Sequence, residues 1–138
     1  MLRLFCLIVL LSASFSVYAR DVLVESPWVR EAPPNAKALA GYVLITNVGK
    51  NTQELVAVSS PVFERVEFHV TTFDGGMMRM KHLETLVLKS GELAEFEPGG
   101  RHLMLINPKK KLKDGDKVPM TITLKNGATI SFDMQVRR

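Results

Sequence analysis

Three histidines and seven methionines are the residues here with the clearest capacity for chemistry, and His69, Met77, Met78, Met80, His82, His102 and Met104 all fall within one stretch. In Arg101-His102-Leu103-Met104-Leu105, strand alternation sets Leu103 and Leu105 on one face and His102 with Met104 on the other. Two donors at i and i+2 on a strand can reach one ion. A competing reading makes Met104 the cover of a second sheet, with His102 at its rim. In Val66-Glu67-Phe68-His69-Val70 the apolar residues alternate with Glu67 and His69, which places His69 on a polar face.

The chain then meets Asp74-Gly75, a strong turn signal, and returns through Met77-Met78-Arg79-Met80. As a two-residue loop, Asp74-Gly75 pairs Thr71 with Met78 and His69 with Met80. Opposed Cβ atoms stand about 4.5–5.5 Å apart, which suits an imidazole and a thioether converging on one ion. The same parity puts Arg79 and Lys81 beside Phe68 and Val70, which a core would reject. The pairing therefore requires a hairpin tip that projects past the core with both faces wet. A three-residue loop would instead separate Met80 from His69.

Two imidazoles with two thioethers restrict the ion. Thioethers are neutral, soft donors, unsuited to Zn²⁺, Mg²⁺ or Ca²⁺. With imidazole and without carboxylate they select copper, particularly Cu(I). A blue-copper electron-transfer site needs a Cys thiolate, and the single Cys of this chain is Cys6, inside the leader described next. Copper carriage is the chemistry left.

Met1-Leu2-Arg3, the apolar run Leu4–Leu11 and the small residues ending at Ala19 read as a secretory signal peptide. That run is too short to span a membrane, and Cys6 lies inside it, away from the cut, so lipid attachment there is not expected. A single exported domain over residues 20–138, periplasmic and without disulfides, is the expectation. With 46% hydrophobic and 23% charged residues, the 138-residue chain reads as globular and has no room for a second module. Its net charge of +4 is too diffuse to imply nucleic acid.

Ten runs of period-2 alternation bounded by turn residues are candidate strands: 22–30, 39–47, 52–59, 63–72, 77–83, 85–88, 93–97, 102–107, 118–124 and 129–136. No stretch has a helical stripe, so the chain reads as an all-β antiparallel β-sandwich. Val118, Met120, Ile122 and Leu124 should share a face with Ile130, Phe132, Met134 and Val136 across a three-residue loop, Lys125-Asn126-Gly127, with Gly127 left-handed. Met120 and Met134 are then core filler, and Trp28 is read as a core aromatic.

The spacing His69-x10-Met80-x21-His102-x-Met104 resembles the signature of the periplasmic copper chaperone family PCu(A)C. The resemblance runs from Val22 to Val136 and includes Trp28-Val29-Arg30, Tyr42-Val43-Leu44-Ile45-Thr46-Asn47, Asp74-Gly75-Gly76, Pro98-Gly99-Gly100 and Leu112-Lys113-Asp114-Gly115-Asp116. It implies a cupredoxin-like Greek-key sandwich that binds one Cu(I) through His69, Met80, His102 and Met104. It further implies delivery of copper to the Cu(A) centre of cytochrome c oxidase, with subunit II or a Sco-type copper protein as acceptor; separately, a monomer is the expectation. Val70 stands where some members carry a further Met, and the chain stops at Arg137-Arg138 where some carry a His/Met-rich tail, so a second copper site is not expected. Met77, Met78 and His82 are read as neighbours shielding the site, and Lys109-Lys110-Lys111 as a solvated loop. The competing hypothesis is an exported, metal-free interaction module whose methionines fill a binding groove. No Ser/His/Asp set, nucleotide loop or carboxylate pair marks an enzyme.

Overall fold

A computed structural model describes residues 21–138, and the leader expected over residues 1–19 lies outside them. Ten strands occupy the described chain: β1 (Val22–Arg30), β2 (Ala38–Asn47), β3 (Gln53–Ser59), β4 (Phe63–Asp74), β5 (Met77–Leu83), β6 (Leu86–Leu88), β7 (Leu93–Phe96), β8 (Arg101–Pro108), β9 (Lys117–Leu124) and β10 (Thr129–Arg137). Each matches one of the alternating runs read from the sequence, and no helix lies among the described residues.

The strands follow the order β5-β4-β8-β7-β2-β1-β10-β9-β3-β6, and a β3–β4 pairing at Val58 and Val66 closes the ring. The result is a barrel-like closed sheet of 8 strands, with β5 and β6 appended to it, and not the two facing sheets expected. Sandwich and barrel demand the same inward–outward alternation along each strand. What separates them is pairing between strands, which no local pattern encodes.

Val29, Ile45, Leu55, Leu103, Leu105, Met120, Ile122 and Met134 fill the interior. Met120 and Met134 are core residues as read. The β9–β10 hairpin has the expected parity, with Phe132 opposite Met120 and Met134 opposite Val118. Leu124 N–H donates to Ala128 O across Lys125-Asn126-Gly127, and Gly127 has φ +87°.

Trp28 is not a core residue. It is half-buried on the outer surface, its ring 4.8 Å from that of Tyr42 and 5.8 Å from the Arg30 guanidinium. A β-bulge between Glu25 and Trp28, where Ser26 has φ +50°, explains the difference. Val22 points inward before the bulge and Val29 after it, so the extra residue reverses the parity that the sequence implied.

Candidate metal centre

β4 is the element on which the site is built, because it pairs with β8 on one side and β5 on the other. Its inward residues Val66 and Phe68 are core, which turns Glu67 and His69 outward. Leu103 and Leu105 anchor β8 in the same way and turn out His102 and Met104. In register, His69 faces His102 and Glu67 faces Met104. The β8 segment thus presents the pair as read, but His102 is 7% exposed and not on an open exterior.

The β4–β5 register differs from the one read. Asp74 pairs with Met77, so the two loop residues are Gly75 and Gly76, with φ of +56° and +80°. A type I′ hairpin needs positive φ at both central residues; Asp-Gly and Gly-Gly both suit it, and Gly-Gly meets it with no Cβ at either position. The shift by two residues preserves the faces and changes the partners: His69 lies opposite His82, and Met80 opposite Thr71. His69 and Met80 are therefore not a directly opposed pair. The projecting tip is present, with every residue of β5 from Met77 to His82 exposed.

His82, His69 and His102 consequently form one row across three strands, with ring centroids 5.4 Å apart for His69–His82 and 5.6 Å for His69–His102. Met80 and Met104 share that face on either side of the row, Met80 largely exposed and Met104 half-buried. The four residues read as ligands thus share one face, with the two histidines adjacent and Met80 diagonal to His69.

The hydrogen bonds select which ring atoms are available. His69 Nε2 lies 2.8 Å from Glu67 Oε2, so its N–H donates to the carboxylate and Nδ1 keeps the lone pair. His102 Nδ1 donates a long 3.4 Å bond to the Gly100 carbonyl, which also accepts the Thr71 N–H. The remaining nitrogens, His69 Nδ1 and His102 Nε2, are both buried with no hydrogen-bond partner. Leaving such a group unsatisfied costs about 1–3 kcal/mol. Two of them on facing residues is a pattern that a bound cation would relieve. Among the described residues no group of three or more His, Cys, Asp or Glu is disposed to hold a metal. The face that holds these nitrogens also carries the thioethers of Met80 and Met104, donors of a type suited to soft ions.

Glu67 is the residue whose role was not read from the sequence. The Glu-x-His alternation on one strand face was its visible signal. Its hydrogen bond to His69 holds its carboxyl below the ordinary range, against the opposing effect of burial, and Arg65 adds to the lowering. Carboxylate partners of ligating histidines fix the tautomer, and their loss typically costs about 10–100-fold in metal affinity. Glu67→Ala is expected to weaken metal binding within that range while leaving the fold intact, as measured by competition titration and circular dichroism. An unchanged affinity would show that the tautomer is set elsewhere.

Burial lowers the His102 pKa below that of an ordinary histidine, with the Gly100 carbonyl acting against this and His69 reinforcing it. The unfolded chain protonates this ring near about pH 6.5, before the folded protein does. Protons then favour unfolding, so stability of the metal-free protein should fall as pH drops through that value toward the lowered folded pKa. The thermal midpoint of His102→Gln should decline less steeply than that of the parent between about pH 7 and pH 5.5. Equal slopes would remove His102 as a source of that dependence.

The fold and this face together define a closed β domain carrying paired imidazoles flanked by thioethers. Residues 22–136 match the family model described as "Putative lipoprotein LpqE-like", and the chain belongs to this LpqE-like family. It is 32% identical over 99 residues to "Uncharacterized protein RP573" of Rickettsia prowazekii (strain Madrid E), covering 69% of this chain but only 55% of that protein, so the chain spans about half the length of this relative. Among solved structures, the Cu(I) form of DR1885 from Deinococcus radiodurans is 28% identical with a TM-score of 0.71, covering 88% of this chain and 81% of that one. The copper-bound PCuAC domain from PmoF2 shares the fold, at 23% identity and a TM-score of 0.72, covering 87% of this chain and 96% of that one. These neighbours agree with the PCu(A)C resemblance read from the sequence. No helix among the described residues is long and apolar enough to cross a membrane.

Proposed function

We propose that this protein binds one Cu(I) through His69, Met80, His102 and Met104 and carries it, in the periplasm, to an acceptor. The observation that carries the reading is the pair of buried, unpartnered nitrogens, His69 Nδ1 and His102 Nε2, on directly facing residues. The likeness to a Cu(I)-bound solution structure at 28% identity supports it. The domain acts as a carrier and not as a catalyst. His69 and His102 hold the ion with rings pre-oriented by Glu67 and the Gly100 carbonyl, so little ordering is required on binding. Met104, half-buried on β8, and Met80, on the exposed edge strand, complete the donor set from opposite sides. Neutral donors hold Cu(I) without a thiolate, so an acceptor bearing Cys can displace them by ligand exchange. The Cu(A) centre of cytochrome c oxidase subunit II, directly or through a Sco-type protein, is the acceptor we assign.

A titration under reducing conditions tests this. Cu(I) should bind one-to-one and Ag(I) should compete for the same site, while Zn²⁺ should not. Met80→Leu and Met104→Leu should each weaken Cu(I) binding. Equal affinity in both variants would remove the thioethers from the site and the assignment with them.

A further inference from the structure

The β4–β5 hairpin has properties that holding an ion does not require. β5 is an edge strand, hydrogen-bonded to β4 alone, and its outer edge offers unpaired backbone groups. Phe73, Met78 and Met80, together on the face that carries His69 and His82, are 69%, 61% and 59% exposed, while Met77, 61% exposed, lies on the other face. Contiguous apolar exposure of this kind marks an interaction site.

The hairpin's other face is cationic. Lys81 and Arg101 flank Val70 in one row across β5, β4 and β8, and Arg79 lies opposite Thr72. None of the three is in an ion pair among the described residues; Asp74 and Glu84 stand at the ends of the hairpin, and Glu97 in the turn before β8, all without a salt bridge to these cations. The Lys109-Lys110-Lys111 run lies past the opposite end of β8, seven residues beyond His102 and so about 23 Å away along the strand.

We propose that this hairpin is the docking face for a protein that is acidic around its own metal-binding residues, and that the ion is exchanged there. The exchange role rests on the function proposed above. Three unpaired cations would repel a second copy of the chain brought up to the same face. A membrane is disfavoured because Asp74 and two glycines form the apex, while Phe73, Met78 and Met80 are set back on the face that carries His69 and His82. A protein that approaches along the free edge of β5 meets the cations on one side of the ribbon and the apolar side chains and histidines on the other, so charge can steer it to an edge that adjoins the donors.

The test uses the metal-free protein and synthetic peptides bearing Cys-x-x-Cys flanked by four Glu, four Ser or four Lys, followed by backbone NMR. The Glu-flanked peptide should bind, shift resonances concentrated in residues 71–82 and at Arg101, and weaken sharply on raising the salt to about 0.5 M. The Ser- and Lys-flanked peptides should bind at least about tenfold more weakly. The double substitution Arg79→Glu and Lys81→Glu should erase the preference, and Phe73→Ser should weaken the Glu-flanked peptide, both with dispersed spectra and unchanged Cu(I) affinity. Equal binding of Glu- and Ser-flanked peptides, or shifts elsewhere, overturns the proposal. Hairpin shifts induced by phosphatidylglycerol vesicles and not by the Glu-flanked peptide also overturn it, in favour of a membrane. A protein that fails to take up Cu(I) in a parallel titration overturns the function and the exchange role together, whereas Cu(I) uptake without acidic preference overturns only the docking.

Discussion

Replacing His102 with alanine is expected to lower Cu(I) affinity by more than about 100-fold, the upper end of what losing an outer-shell partner costs. The ring is 7% exposed, so water has poor access to take the place of the missing nitrogen. Nε2 is also the atom left without a partner when Nδ1 is directed at Gly100. Alanine removes an unsatisfied buried group as well as a donor, which offsets part of the cavity it creates, so stability of the metal-free fold should change less than affinity. His82→Ala supplies the contrast. Its ring stacks on His69 from the exposed strand and has no orphaned nitrogen, so its loss should cost less than about tenfold, below the range of an outer-shell partner. Competition against a chromophoric Cu(I) ligand under reducing conditions measures both variants. Comparable losses in the two would shift the centre of the site outward to β5.

Local chemistry made much of this molecule readable, because alternation is a local property. Leu103 and Leu105 dictated which way β8 faces, and with it that His102 and Met104 emerge together. Phe68 did the same for Glu67 and His69. The hairpin register was not readable in that way, since Asp74-Gly75 and Gly75-Gly76 are both turn sequences and only the backbone requirement at the first loop position separates them. The choice decides whether Met80 or His82 faces His69, so the site inherited an ambiguity from two φ angles. Trp28 was lost to a bulge whose left-handed residue is Ser26, a type that gives no warning of positive φ. Ring closure at Val58 and Val66 rests on a pairing between strand ends, invisible to any periodicity.

Phe68→Ala should destabilise the metal-free protein by about 3–5 kcal/mol, the usual cost of emptying a buried aromatic site. Phe68 is 2% exposed, packs its ring 6.1 Å from that of Phe96, and sits in register with Leu83 on β5 and Leu103 on β8. One inward side chain therefore anchors the three strands whose outward faces carry the histidine row. Copper affinity should fall in this variant although Phe68 contributes no donor, because loosening β4 against β8 blurs the facing of His69 and His102. Phe73→Ala, on the same strand but 69% exposed, should change stability by less than about 0.5 kcal/mol. Urea unfolding checks the comparison, with a lower midpoint and unchanged slope expected for Phe68→Ala. Cu(I) bound only by the folded state would return about 2.7 kcal/mol at a free concentration one hundred times Kd, so the metal should rescue much of the loss. A variant that loses stability and yet keeps parental copper affinity would show that the site is held by β8 alone, independently of the core beneath β4.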